Sequence, residues 1–291
     1  MQELARILAE ADRDGKAVGH FNVADLVLLK GVFQAAQALN APVIIGASEG
    51  ERAFTGARQL AACVKSLREE YDFPVFLDAD HTHSLASAIE AAKAGFDYVV
   101  FDLSTLPLEE NARQTRKAVE SVKSINPGMI VEGEIGDIGS GSEIHDDEPR
   151  GDQNLSSPEE AAQFVSATGV DVLAPAVGNS HGMRRGMVAG TEKKHLDIDR
   201  IRKIKAAAGK PLTLHGGSGT DDGDLRGAIA AGINIVHINT ELRLAWRRGI
   251  EEGLKKHPEE LAPYKVLPPA VAAVQQVVAS RLRLFANPTA G

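Results

Sequence analysis

Cysteine is nearly absent from this chain: Cys63 stands alone among 291 residues. A single thiol cannot close an internal disulfide, so the fold must be held by burial, and a reducing cytoplasm is the expected compartment. Cys63 lies in Leu60-Ala-Ala-Cys-Val64 and reads as a small core residue. No apolar run comes near the roughly 18 residues that a membrane span requires, so no membrane partner is expected. The first residues, Met1-Gln-Glu-Leu-Ala-Arg-Ile-Leu8, form an amphipathic pattern carrying acids, unlike a signal or transit peptide. Aromatics make up only 4% of the chain, and 32 basic residues face 40 acidic ones, for a formal net charge of −8. With no basic stripe interleaved with aromatics, no nucleic-acid partner is expected. An anionic small molecule remains compatible, because backbone donors and a metal can outweigh a mildly acidic exterior.

What is present is an alternation. Short apolar runs at residues 17–21, 42–45, 74–79, 98–101, 129–132, 170–177, 211–214 and 233–238 read as eight strands separated by helical patterns. Helix ends are legible. Ser84 caps a run that ends at Gly95, and Ser157-Pro-Glu-Glu160 is a capping box with proline at the first helical position. Eight such alternations predict an α/β fold, a (β/α)8 barrel, with one added C-terminal helix over residues 270–285. No composition shift divides the chain, so residues 1–291 are expected to be one domain. Two connections, residues 136–156 and 178–195, are long and rich in glycine and charge, as lids over a catalytic face commonly are.

The polar residues gather where a barrel does its chemistry, at the C-terminal strand ends. His81, His181 and His215 fall at or just past the ends of the third, sixth and seventh strands. Neutral imidazoles delivered from one rim can converge, and three of them with an open position make a catalytic zinc site. Asp80, beside His81, is a candidate to move a proton on a metal-bound hydroxyl; a helix cap or an outer carboxylate is the competing reading. Asp102, Glu132 and Glu134 read as outer partners, an alternative metal position or structural acids. His145, His195 and His257 fall in polar contexts and read as solvated, and His83 as a helix-cap neighbour or substrate contact. Gly216-Gly-Ser-Gly219-Thr220 opens a helix after the seventh strand, where barrels often bind phosphate. Gly182, Gly216, Gly217, Ser218, Asn239 and Thr240 are therefore candidate phosphate contacts, and Asn22 and Ser48 stand at the ends of strands one and two. None of the strand ends carries a lysine, which disfavours imine catalysis.

Several segments in combination resemble the class II, zinc-dependent fructose-bisphosphate aldolase family, which includes tagatose-bisphosphate aldolases. They are Ala17-Val-Gly-His-Phe-Asn22, Pro42-Val-Ile-Ile-Gly-Ala-Ser-Glu-Gly50, Leu77-Asp-Ala-Asp-His81, Val131-Glu-Gly-Glu-Ile-Gly136, Ala174-Pro-Ala-Val-Gly-Asn-Ser-His-Gly182, Pro211-Leu-Thr-Leu-His-Gly-Gly-Ser-Gly219 and Asn239-Thr-Glu241. The resemblance implies zinc held by His81, His181 and His215; Glu134 and Asp102 are kept as further candidates at the metal site, and a second metal or a monovalent cation as a further expected cofactor. It implies Asp80 as catalytic acid–base, Glu143 as the lid glutamate that exchanges a carbon-bound proton, and a homodimer or homotetramer. The implied reaction is reversible cleavage of a ketose 1,6-bisphosphate to dihydroxyacetone phosphate and an aldehyde such as glyceraldehyde 3-phosphate. Three positions depart from the family pattern. His237-Ile-Asn-Thr240 stands where the family has Asn-x-x-Thr, making His237 a candidate substrate contact. Val271 replaces an arginine that reaches the distal phosphate, leaving Arg184, Arg185 or Arg281 to serve, and Asp78 stands where histidine is common. Two other readings compete. His81-Thr-His83 could mark a zinc hydrolase, although its place after the third strand is wrong for one. A sugar-phosphate-binding protein without turnover is the other.

Overall fold

The computed structural model describes residues 3–139, 141–146 and 154–287. Its strands are β1 (Val18–Asn22), β2 (Val43–Gly46), β3 (Val75–Thr82), β4 (Tyr98–Phe101), β5 (Ile130–Ile135), β6 (Ile144–His145), β7 (Val172–Pro175), β8 (Met183–Arg184), β9 (Leu212–Leu214) and β10 (Ile233–Ile238). Eight of them close in the order β1-β10-β9-β7-β5-β4-β3-β2, every neighbouring pair parallel. All eight predicted strands are present, so the expected (β/α)8 barrel is the observed fold. The two-residue strands β6 and β8 were not foreseen. They pair with each other and tie the two long loops together above the barrel.

Successive side chains on a strand face opposite ways, and this sorts the apolar residues into two cores. Outward-facing residues such as Val43, Ile45, Val75, Leu77, Val99 and Val131 pack against the surrounding helices. Inward-facing Val18, Ile44, Phe76, Tyr98, Val100, Ile130, Val172 and Ile235 fill the lower barrel. The helix Glu3–Arg13 plugs the bottom, contributing Leu4, Ile7, Leu8 and Ala11 to that inner cluster. Each of the larger of these side chains, such as Leu4, Leu8, Ile44 and Ile235, stabilises the fold by about 1.5–3 kcal/mol when fully buried.

Two residues further along the same inward rows the character changes. Val18 is followed by His20 and Asn22, Phe76 by Asp78 and Asp80, Ile130 by Glu132 and Glu134, and Ile235 by His237, all buried. The barrel is therefore apolar at its base and ionisable at its mouth.

The predicted caps Ser84 and Ser157 are in place, and Asp197 and Asp221 do the same work: each accepts from a backbone N–H in the first turn of the following helix, and Gly95 and Gly169 end theirs in the left-handed conformation. The added helix, Pro268–Ala286, packs against the helices Leu26–Leu39 and Thr240–Lys256. Gly249 permits that approach: a Cβ there would lie 2.3 Å from Ala270 Cα.

Candidate active site

Strand β3 presents two consecutive side chains to the mouth, which a regular strand cannot do. The reason is local. His81 has φ of 42°, in the left-handed region, and the pairing of β3 with β4 shifts register between Ala79 and Thr82. The kink brings Asp80 Oδ1 to 3.8 Å from His81 Nε2. Strain of this kind persists where surrounding contacts over-determine it. Arg52 supplies some of them, donating to Asp80 O at 3.0 Å, to Ala47 O at 2.5 Å and to Thr82 Oγ1 at 3.1 Å.

The three predicted histidines meet. His81 Nε2 is 3.0 Å from His181 Nε2 and 3.2 Å from His215 Nδ1. On the far side of each ring the other nitrogen faces an acceptor. His81 Nδ1 lies 2.9 Å from Asp102 Oδ2, His181 Nδ1 2.8 Å from Gly139 O and His215 Nε2 2.7 Å from Glu132 Oε1. An acceptor on that side fixes the tautomer with its proton outward and turns the lone pair inward. Three lone pairs then share one small volume, an arrangement that repels itself unless a cation or a proton sits there. Burial opposes charge on all three rings; Asp80 and Asp102 nevertheless raise His81 and Glu132 raises His215, while burial and the charge on those two rings push His181 down to about 3, so the centre favours a single shared positive charge. The donor set fits a divalent metal, with three imidazole nitrogens at the centre and acceptors behind them.

The carboxylates divide by distance. Burial by itself would raise Asp102, but hydrogen bonds from His81 and Ser104 hold it well below the usual range, so it stays an anion behind His81. Glu134 Oε1 accepts from Ser104 Oγ at 3.0 Å, while its Oε2 is buried without a partner, 4.0 Å from His81 Nδ1 and 3.9 Å from His215 Nδ1. Burial and the neighbouring Asp102 push Glu134 up to about 7. Glu132 lies deeper, also accepting from Tyr98 Oη and Thr213 Oγ1.

Asp80 is held from one side. Asn22 Nδ2 donates to Asp80 Oδ2 at 2.8 Å and to Glu51 Oε2 at 2.9 Å. Asp80 Oδ1 is buried without a hydrogen bond, 3.5 Å from His237 Nδ1, and neither nitrogen of His237 has a partner among the described residues. The His237 ring stacks on His20 with centroids 3.4 Å apart, and His20 Nε2 lies 2.8 Å from Asp78 Oδ2. Burial, opposed by His20, lifts Asp78 to about 6. Asp80, His81 and His181 thus line one cavity together with Asn22, Gly182, Gly216, Ser218, His237, Asn239, Thr240 and the loop residue Ser142.

Other predicted site residues fall elsewhere. Ser48 caps the helix Glu49–Thr55 and is engaged with Glu51, and Gly217 donates its N–H to His237 O. The Glu143 side chain is exposed, while its carbonyl accepts from Met183 N; part of its loop lies outside the described residues. His195 is exposed against Asp224, and His83 Nδ1 lies 2.9 Å from Asp102 O. Cys63 is only partly buried, packed against the outer core. The three arginines considered for a distal phosphate are occupied: Arg184 by Glu192, Arg185 by Asp146, and Arg281 by Glu241 and Asp222.

Sequence reasoning missed Glu51, Arg52, Lys194 and Arg243. Glu51 was detectable as the third helical residue after Ser48, a capping-box position. The others had no local signal. Arg243 bridges Glu51 Oε1 at 2.7 Å and Ser142 O at 3.2 Å, a contact 192 residues apart in one direction and 101 in the other.

A closed parallel barrel with convergent imidazoles and a buried carboxylate at its C-terminal mouth defines a class, the (β/α)8 enzymes that work on small molecules at the strand ends. The particular family follows from comparison. The chain belongs to the family described as "Fructose-bisphosphate aldolase class-II", whose model matches residues 2–289. It is 35% identical over 287 residues to the "Probable fructose-bisphosphate aldolase" of Bacillus subtilis, covering 98% of this chain and 97% of that one. It is 34% identical over 302 residues to the "Fructose-bisphosphate aldolase" of Thermus caldophilus, covering 97% and 96%. Among solved structures it is similar to the YdjI aldolase of Escherichia coli K12, with TM-score 0.82, 28% identity and coverage of 97% and 96%. The family's members are aldehyde-lyases, generally metal-dependent, acting on sugar phosphates. Among the described residues no helix is long and apolar enough to cross a membrane.

Proposed function

We propose that this chain is a zinc-dependent aldolase that reversibly cleaves a ketose 1,6-bisphosphate, fructose 1,6-bisphosphate first among them, to dihydroxyacetone phosphate and an aldehyde such as glyceraldehyde 3-phosphate. The observation that carries the reading is the meeting of His81 Nε2, His181 Nε2 and His215 Nδ1, each ring tied behind, beside the unpartnered Asp80 Oδ1. Zinc held by these three nitrogens would polarise the substrate carbonyl as a Lewis acid. Asp102 and Glu132 orient His81 and His215, and Glu134 stands ready beside both. Asp80 takes the proton from the C4 hydroxyl during cleavage, and Asn22 holds its other oxygen so that Oδ1 faces the substrate. The same carboxyl returns that proton in condensation. Gly182, Gly216, Ser218, Asn239 and Thr240 bind the phosphate of the triose half, at a glycine loop and the start of the helix Thr240–Lys256. Glu143 serves as the acid–base for the carbon-bound proton.

One observation favours a second substrate class. Val271 offers no charge, and Arg184, Arg185 and Arg281 are all paired with acids, which suits a ketose 1-phosphate, whose distal end carries no phosphate; a tagatose bisphosphate rests on the family resemblance alone. We further propose a homodimer or homotetramer, consistent with exposed Phe54, Leu261 and Tyr264. A cleavage assay of the zinc-loaded protein over a panel of ketose mono- and bisphosphates tests the reading. Metal-dependent release of dihydroxyacetone phosphate supports it, and a borohydride-trapped lysine adduct overturns it.

A further inference from the structure

Lys194 is buried, and its Nζ is ringed by four backbone carbonyl oxygens: Ser180 at 2.6 Å, Gly182 at 2.6 Å, Gly216 at 3.0 Å and Ser218 at 2.7 Å. These oxygens come from two segments, one carrying His181 and the other following His215. Gly182, Gly216 and Ser218 also line the cavity. The lysine backbone is docked on the same loop, its N–H donating to Gly219 O and its carbonyl accepting from Asp221 N. The two segments approach so closely that a Cβ on Gly216, whose φ is 61°, would lie 2.2 Å from Ser180 O.

All four neighbours are acceptors. A neutral amine would point its lone pair at one of them, whereas an ammonium offers three N–H donors and no lone pair. Burial draws this group down to about 7, with Glu241 opposing; four carbonyl oxygens within hydrogen-bond distance of Nζ favour the charged form, as hydrogen bonds to an ion do. Several carbonyl oxygens aimed at one positive centre are the donor set of a hard monovalent cation such as potassium or sodium.

We propose that Lys194 is a built-in monovalent cation. Its ammonium fills a carbonyl cage that a potassium or sodium ion could otherwise occupy, clamps the two phosphate-contacting segments together and places a fixed positive charge beside the phosphate. The proposal rests on the reading of Gly182, Gly216 and Ser218 as phosphate contacts. Lys194 is on this account a positioning residue, acting through the loops it gathers. It predicts an enzyme that needs zinc but no monovalent salt.

The test compares buffers whose only monovalent cation is choline with the same buffers containing potassium, sodium or ammonium ions. Three quantities are read on the zinc-loaded protein: cleavage activity, affinity for inorganic phosphate, and thermal midpoint. For the unaltered chain all three should be insensitive to the cation. For Lys194→Ala, phosphate affinity in choline should fall about tenfold or more, the scale of a lost charge-assisted contact, and the thermal midpoint should drop. Potassium or ammonium should restore both in a saturable way. The proposal is overturned if the unaltered chain gains several-fold in activity or phosphate affinity from potassium or sodium. It is equally overturned if Lys194→Ala is unaffected in choline, if no cation rescues it, or if it fails to fold in every salt. Phosphate affinity and thermal midpoint need no turnover, so an inactive unaltered chain would count against the aldolase reading and leave the lysine test intact.

Discussion

The Nε2 atoms of His81 and His181 stand 3.0 Å apart, and the opposite nitrogen of each ring faces a protein acceptor, Asp102 Oδ2 or Gly139 O. Two imidazoles so tethered cannot turn away from one another. Their shared volume, completed by His215 Nδ1, is the centre of the proposed chemistry.

Separating metal holding from proton transfer is the first expected result. Asp80→Ala should retain zinc while losing on the order of 10²–10⁴-fold in kcat, the usual worth of a positioned acid–base group. His215→Ala should lose both zinc and turnover. Metal analysis of each purified variant beside its cleavage rate checks this, and an Asp80→Ala protein of normal rate would remove Asp80 from the mechanism.

Asp102→Asn should weaken zinc binding by about 10–100-fold without removing a ligand, because the amide cannot fix the His81 tautomer as the carboxylate does. Competition with a chromogenic chelator measures the affinity. An unchanged value would mean that Asp102 does not orient His81.

Arg243 is the predicted reader of the distal end of the substrate because it reaches Ser142 O at the cavity; like Arg281 it is paired with an acid, Glu51, so a distal phosphate would have to share or displace that carboxylate. Arg243→Ala should raise KM for a bisphosphate by roughly tenfold, as loss of one charge-assisted phosphate contact does, and leave KM for the matching 1-phosphate within about twofold. Equal effects on the two substrates would assign Arg243 to holding Glu51 and the loop instead.

The added helix gives a stability prediction independent of catalysis. Gly249→Ala would press a methyl against Ala270, and overpacking of this kind costs about 1–3 kcal/mol. Urea midpoints should fall accordingly, with zinc affinity unaltered. No change would show that the helix Pro268–Ala286 can shift without cost.

Much of the fold was legible because a parallel barrel repeats one simple signal, a buried run and then a capped helix. Ser84, Gly95 and Ser157 announced their helix ends through side-chain chemistry that acts within four residues. The three histidines were legible through their place at strand ends. The alternation inside the strands carried more than was read from it. In Val18-Gly-His-Phe-Asn22 and Phe76-Leu-Asp-Ala-Asp80 every second residue turns inward, so the passage from apolar to ionisable along one row already marks the mouth. What could not be read was set by the third dimension. Nothing near Lys194 in sequence distinguishes it from the exposed Lys193 beside it. Its role comes from carbonyls 12 to 24 residues away, which the loops bring to it. The left-handed φ of His81 likewise has no signal in the residues beside it, and the contacts that accompany it include Arg52, donating to Asp80 O from 28 residues away in sequence.

The most direct measurement is zinc content against cleavage activity on one preparation, carried through chelation and stepwise zinc return. One zinc per chain, activity falling with its removal and returning in proportion to re-addition, and loss of binding in His81→Ala, His181→Ala and His215→Ala alike are the predicted results. A thoroughly metal-free protein that still cleaves the ketose phosphate at full rate would contradict the account.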